Sequence, residues 1–235
     1  MNAESDQAAE EIILRAKQDL KAGTAEGIQA AFALLNEAAR THPDQAEIWF
    51  LLGSILDDAE IDQESTITIE RLWSTVSPTG ERFTQADAWE RALALDPRNE
   101  ARWYRLGDLY DGCEETEKAA RCFSKVVELN PNHVEGWVQL ASQLHSLAIS
   151  GERYSEIKLK NPTLAQQAVD AFHHAIDIDE TKAAGWEAYY WLGELALLFG
   201  DKKAAVQWFS RQHELTGDGY CAEQADELRA ELAKG

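Results

Sequence analysis

The sequence predicts an all-α fold of stacked helical hairpins, and three observations carry that expectation. Pro97 and Pro131 stand 34 residues apart, as do Trp103 and Trp137, and self-similarity at such a period marks a repeat architecture. Long stretches place apolar residues at the offsets three, four and seven of one helix face, with no alternating run of β-branched residues. Only 5 Pro and 14 Gly interrupt 235 residues, of which 45% are apolar, enough for a sizeable core.

Taken in order from the N-terminus, residues 8–45 form a degenerate first repeat. Ala31, Leu35 and Ala38 keep the spacing of a buried helix face, while the helix around Ile12 to Leu20 has neither Trp nor Gly. The second repeat, about 46–99, opens with Trp49, Leu52, Gly53 and Leu56 and ends with Trp89, Ala92, Leu95 and Pro97. The third, 100–133, reads Trp103, Leu106, Gly107, Tyr110, Ala119, Phe123 and Pro131. The fourth, 134–182, opens with Trp137, Leu140, Ala141 and Leu144 and ends with Ala168, Phe172, Ala175 and Ile178, with Glu180 in the place of Pro. The fifth, 186–217, runs through Tyr189, Leu192, Gly193, Ala205, Phe209 and Leu215, with Ala196 where a larger residue is expected. Tyr220, Ala225, Leu228 and Leu232 then recur at helical spacing, which predicts a capping helix over 218–234.

The pattern has a physical cause. One hairpin cannot bury its own apolar stripe, so neighbours must stack into a continuous core. The aromatic, the Leu three later, the small residue four later and the apolar residue seven later share one face at 100° per residue. A small residue at Gly53, Gly107, Ala141 or Gly193 lets the paired helix approach closely, and the terminal Pro stops the second helix. Pro43, Pro97 and Pro131 each precede the next Trp by six residues, which fixes the register.

The third repeat matches W-x2-L-G-x2-Y, then A-x3-F, then P in order and spacing, and so resembles the tetratricopeptide repeat. The resemblance implies a right-handed α-solenoid, spanning 1–235 as a single domain, whose first helices line a concave channel. In each first helix the positions one, five and eight after the aromatic fall about 80° to 140° from the core face, and in the family these line the channel. Here they are Phe50, Ser54 and Asp57, then Tyr104, Asp108 and Asp111, then Val138, Ser142 and His145, then Tyr190, Glu194 and Leu197, with Trp191 close by. The expected channel is acidic with an aromatic floor, suited to a Lys- or Arg-bearing segment. The family's chaperone-tail adaptors grip a C-terminal carboxylate with Lys, Arg and Asn at these positions. This chain lacks that set, with Arg105 alone beside Asp108 and Asp111.

Two repeats are interrupted between their helices. Trp49 to Pro97 spans 48 residues, so about twenty extra residues fall within 57–82, and about fifteen more fall within 146–162. The first insertion carries Ile67, Ile69, Leu72, Trp73 and Val76 before Ser77 and Pro78; the second carries Tyr154, Ile157 and Leu159. Two readings stand open: apolar segments folded back on the repeat edge, or lids over a bound partner.

Charge narrows the partner. Against 42 Asp and Glu stand 22 Lys and Arg, a net charge of −20 that repels nucleic acid and anionic membranes. No secretion signal or membrane-spanning run is apparent, and three cysteines without C-x-x-C spacing suggest neither disulfide framework nor structural zinc, so the cytoplasm is the expected compartment. No phosphate loop, H-E-x-x-H or G-x-S-x-G motif occurs. His173 and His174 are adjacent and point about 100° apart on a helix, so they cannot share an ion. Neither catalysis nor a cofactor or metal is expected. The expected function is a scaffold, adaptor or dedicated chaperone that binds a basic or amphipathic protein segment. The alternative is a self-associating platform, a homo-oligomer stacked through exposed Trp and incompletely capped ends.

Overall fold

A computed structural model describes residues 3–57, 84–151 and 157–234. Among them, helices follow one another in hairpins: α1 (Ala3–Lys21), α2 (Ala25–Thr41), α3 (Ala46–Asp57), α4 (Gln85–Leu95), α5 (Glu100–Gly112), α6 (Thr116–Leu129), α7 (Val134–Ala148), α8 (Pro162–Ile178), α9 (Glu180–Gly185), α10 (Ala188–Leu198), α11 (Lys202–Thr216) and α12 (Gly219–Leu232). The chain forms two compact units, 1–102 and 103–235, with the boundary inside α5. The architecture is the all-α stack of hairpin repeats that the periodicity predicts, closed at its C-terminal end by α12.

Short polar side chains start several of the helices by meeting backbone N–H groups that lack a partner in the first turn. Thr84 and Asp87 form a reciprocal capping box at α4. Asn161 accepts from the N–H groups of Thr163 and Leu164 at 3.1 and 3.2 Å, with Pro162 as the first residue of α8. Asp201 and Asp218 cap α11 and α12 in the same way.

In the first unit, Phe32, Leu35, Ile48, Trp49, Leu52, Ile55 and Ala92 pack as one core. In the second, Val138, Ala141, Phe172, Ala175, Tyr189 and Leu192 form the main core, and Phe209 meets Cys221, Ala225 and Leu228 of the capping helix in another. The signature small residues mark close helix contacts. A methyl group added at Gly53 would fall 2.3 Å from Trp89, one at Gly107 2.8 Å from Phe123 and one at Gly193 2.5 Å from Phe209. The fixed step from Pro to Trp also has a visible cause. The indole N–H of Trp49 donates to the carbonyl of Pro43 at 2.9 Å, and that of Trp137 to the carbonyl of Pro131 at 2.8 Å.

Two features depart from the regular hairpin repeat. The second insertion begins and ends in a short antiparallel ladder, β1 (Ile149–Ser150) with β2 (Lys158–Leu159), Ile149 facing Leu159. The N–H groups of Lys160 and Asn161 both donate to the Ala148 carbonyl and close its base. Leu159 packs on the main core of the second unit, as the fold-back reading requires, whereas Tyr154 lies outside the described residues. So do Ile67, Ile69, Leu72, Trp73, Val76, Ser77 and Pro78 of the first insertion. The second departure is α9, a six-residue helix wedged before the fifth repeat. Glu180, standing in place of Pro, accepts from the Tyr189 hydroxyl at 2.7 Å and from the Arg211 guanidinium at 2.8 and 3.0 Å, tying α9 to α10 and α11. Val138, expected in the channel, is buried in the main core.

Candidate functional site

The expected channel residues of the first unit are Phe50 and Ser54, on α3. The Phe50 carbonyl accepts from the Trp89 indole N–H at 3.1 Å and from the Ser54 hydroxyl at 3.0 Å. Its ring stacks on Trp89, with centroids 5.8 Å apart, and the Arg102 guanidinium carbon lies 4.9 Å from the ring centroid. Arg102 is itself buried and bridges Glu47 and Asp96. A cation of the chain's own therefore covers this aromatic. The sequence reading missed Arg102; the available signal was a carboxylate two residues before Trp49 and an Arg one residue before Trp103. The Asp57 side chain lies outside the described residues.

In the second unit the expected residues come from α5, α7 and α10. Tyr104 stacks on His133, 5.2 Å between centroids, and burial followed by the charge of Asp108 pushes its phenol pKa up. One turn on, the Asp108 carboxyl is pushed up to about 6, first by lost hydration and then by repulsion from Asp111, with Arg105 opposing. Asp111 is exposed and accepts from the Gln143 side chain on α7 at 2.8 Å, which links the first helices of consecutive repeats.

Ser142 is half-buried, and its carbonyl accepts from the Ser146 hydroxyl at 3.0 Å. His145, one turn from Ser142, is only 7% exposed, and burial lowers its pKa, so the ring is neutral at neutral pH. It packs on Trp191 of α10 at 5.1 Å between centroids, a second link between first helices. Trp191 meets Tyr190 edge-on at 5.0 Å, and Tyr190 in turn approaches Phe209 and Tyr220 at 6.0 and 6.1 Å. Burial, then the Glu194 charge, raises the Tyr190 phenol pKa. Between α7, α10 and the hairpin opens a pocket of about 450 Å³, lined by His145, Ile149, Ile157, Trp191, Glu194 and Leu197 among others.

A second pocket, about 390 Å³, lies among α6, α7 and α8 against Trp137, Asp170 and His174. His174 packs on Trp137 and His173 on Trp208, so the adjacent histidines diverge as helical geometry requires. Among the described residues no group of three or more His, Cys, Asp or Glu converges to hold a metal ion. No described helix is long and apolar enough to cross a membrane.

Two family models, each described as tetratricopeptide repeat, match the chain over residues 101–133 and 163–212. The chain is a tetratricopeptide repeat protein. Solved repeat proteins share its fold. YrrB, described as a TPR protein with an unusual peptide-binding site, superposes with a TM-score of 0.64 at 17% identity, over 96% of this chain and 98% of that one. MamA from Desulfovibrio magneticus gives 0.58 at 17% identity, over 88% and 94% of the two chains. A tetratricopeptide repeat protein from Parabacteroides merdae gives 0.59 at 17% identity, over 97% and 75%. No curated protein matches the sequence.

Proposed function

We propose that this repeat protein is a non-enzymatic binding scaffold that holds a basic or amphipathic segment of a partner along the first-helix face of its second unit. The observation that carries the reading is contiguity. Asp111 to Gln143 at 2.8 Å and His145 to Trp191 at 5.1 Å join α5 to α7 and α7 to α10. These two contacts support reading Tyr104, Asp108, Asp111, Ser142, Tyr190, Trp191 and Glu194 as one row of aromatics and carboxylates, with the buried His145 joining α7 to α10. The row matches the chemistry of cationic side chains carried on apolar stems. Asp108 adds an energetic argument: with its pKa raised to about 6 it is ionised at neutral pH against an unfavourable environment, which a cation would relieve. The likeness to YrrB, whose description includes a peptide-binding site, supports peptide capture. Phe50 and Ser54 belong to the first unit, and the reading does not need them.

The test is fluorescence anisotropy with a labelled amphipathic Lys–Leu peptide and its Glu–Leu counterpart. The Lys peptide binds and the Glu peptide does not. Asp108→Lys combined with Asp111→Lys weakens capture by about tenfold or more and flattens its salt dependence, with circular dichroism unchanged. Unchanged capture by the double variant refutes the reading. Concentration-dependent sedimentation of the free protein, without peptide binding, would favour the self-associating platform instead.

A further inference from the structure

The pocket between α7, α10 and the hairpin is not a feature of a regular repeat, because Ile149 and Ile157 reach it from the second insertion. Its walls are aliphatic at Ile149, Ile157, Leu197 and Leu198 and aromatic at Trp191, and all five side chains are half-buried, so each keeps apolar surface uncovered. The polar groups beside them are committed or uncharged. The Ser146 hydroxyl donates to the Ser142 carbonyl at 3.0 Å, Glu194 already has a partner within the chain, and burial keeps the His145 ring and the Tyr190 phenol neutral at neutral pH. We infer that this pocket receives one large apolar side chain of the bound segment, set beside the basic side chain that Asp108 and Asp111 take up. The inference rests on the peptide-binding reading above and narrows it: the partner segment is amphipathic and not merely basic.

Charge selects one half of the partner and the pocket selects the other. Asp108 and Asp111, in a chain of net charge −20, favour a cation. Asp111 holds Gln143 of α7 at 2.8 Å, and His145, two residues further along α7, packs on Trp191 of the pocket wall, so the acidic pair and the pocket flank a single helix. Packed helices stand about 8–10 Å apart, which about three residues of extended chain span. One short segment can therefore present a cation to the first and an apolar side chain to the second. A polar side chain set between Trp191 and the two isoleucines would lose its water without gaining a partner, whereas an apolar one gains in proportion to the area it buries. The pocket volume of about 450 Å³ admits a side chain of leucine or phenylalanine size.

The experiment presents the whole protein with labelled peptides that share a Lys–Ala frame and differ at one central position, which holds leucine, glutamine or alanine. Fluorescence anisotropy should show the leucine peptide binding at least about tenfold tighter than the other two, since only its central side chain gains by leaving water. Isotope-labelled methyl groups of that leucine should give nuclear Overhauser contacts to the Trp191 indole, assigned with Trp191→Phe. Ile157→Ser, which strips one aliphatic wall, should weaken the leucine peptide by about threefold or more with circular dichroism unchanged. Equal binding of the glutamine or alanine peptide, or leucine methyl groups that do not meet Trp191, overturns the inference. The peptide comparison needs no variant, so it is independent of folding defects. Capture of all three peptides alike that responds to Asp108→Lys with Asp111→Lys sinks the apolar anchor and spares the scaffold. Leucine contacts at Trp191 with capture indifferent to that double variant do the reverse.

Discussion

Asp108 is held in its charged form by neutral pH rather than by its surroundings. Its carboxyl titrates near 6 against an ordinary value of 3.8, so the folded protein binds that proton more tightly than the unfolded chain does. Stability therefore rises as pH falls through 6 toward 4, and the ionised carboxylate is a liability above 6. Asp108→Asn should raise the melting temperature at pH 7.5, with the difference vanishing by pH 4; an equal shift at both values would assign the effect to something other than ionisation. Capture of the Lys–Leu peptide should weaken below pH 6 as the charge is lost. The position of Asp108 was legible from its offset of five after Trp103, because that offset fixes an azimuth on the helix. Its raised pKa was not legible, since it depends on how much water the fold removes.

At the scale of the element, the repeat is held together by a few contacts that recur. The bond from Trp indole to Pro carbonyl spans six residues at both Trp49 and Trp137, but the two rings differ in setting: Trp49 is buried and Trp137 half-exposed. Trp137→Phe should cost about 0.5–1.5 kcal/mol, the usual worth of one hydrogen bond, and Trp49→Phe about 1–3 kcal/mol because its buried ring also loses packing in the core of the first unit. Urea denaturation measures both, and the reverse order would show that the bond is incidental to the register. These elements were readable because they rest on local spacing. The β1–β2 ladder and α9 were not: each depends on neighbours distant in sequence, Leu159 on the core of the second unit and Glu180 on Arg211.

Over the whole molecule, charge acts in two opposite directions. A net charge of −20 repels itself in the folded state, and added salt screens that repulsion as it screens attraction to a cationic partner. Raising sodium chloride from about 20 to about 300 mM should therefore raise the melting temperature while loosening the Lys–Leu peptide. Melting that fell with salt would mean that the ion pairs of the free protein outweigh its self-repulsion. The surface pairs Lys202 to Glu231 and Arg229 to Asp226 are exposed and contribute little on this scale.

The sequence by itself determined the repeat, its register and the azimuth of each first-helix residue, because a helical period converts spacing into direction without reference to any other part of the chain. Only the tertiary structure decided which of those directions lead to an open surface. Val138 points into the main core, Phe50 is covered by Arg102, His145 is enclosed against Trp191, and Ile157 arrives from an insertion that has no period to read. Burial is a property of neighbours, and the neighbours at these positions come from other repeats or from the residues between them.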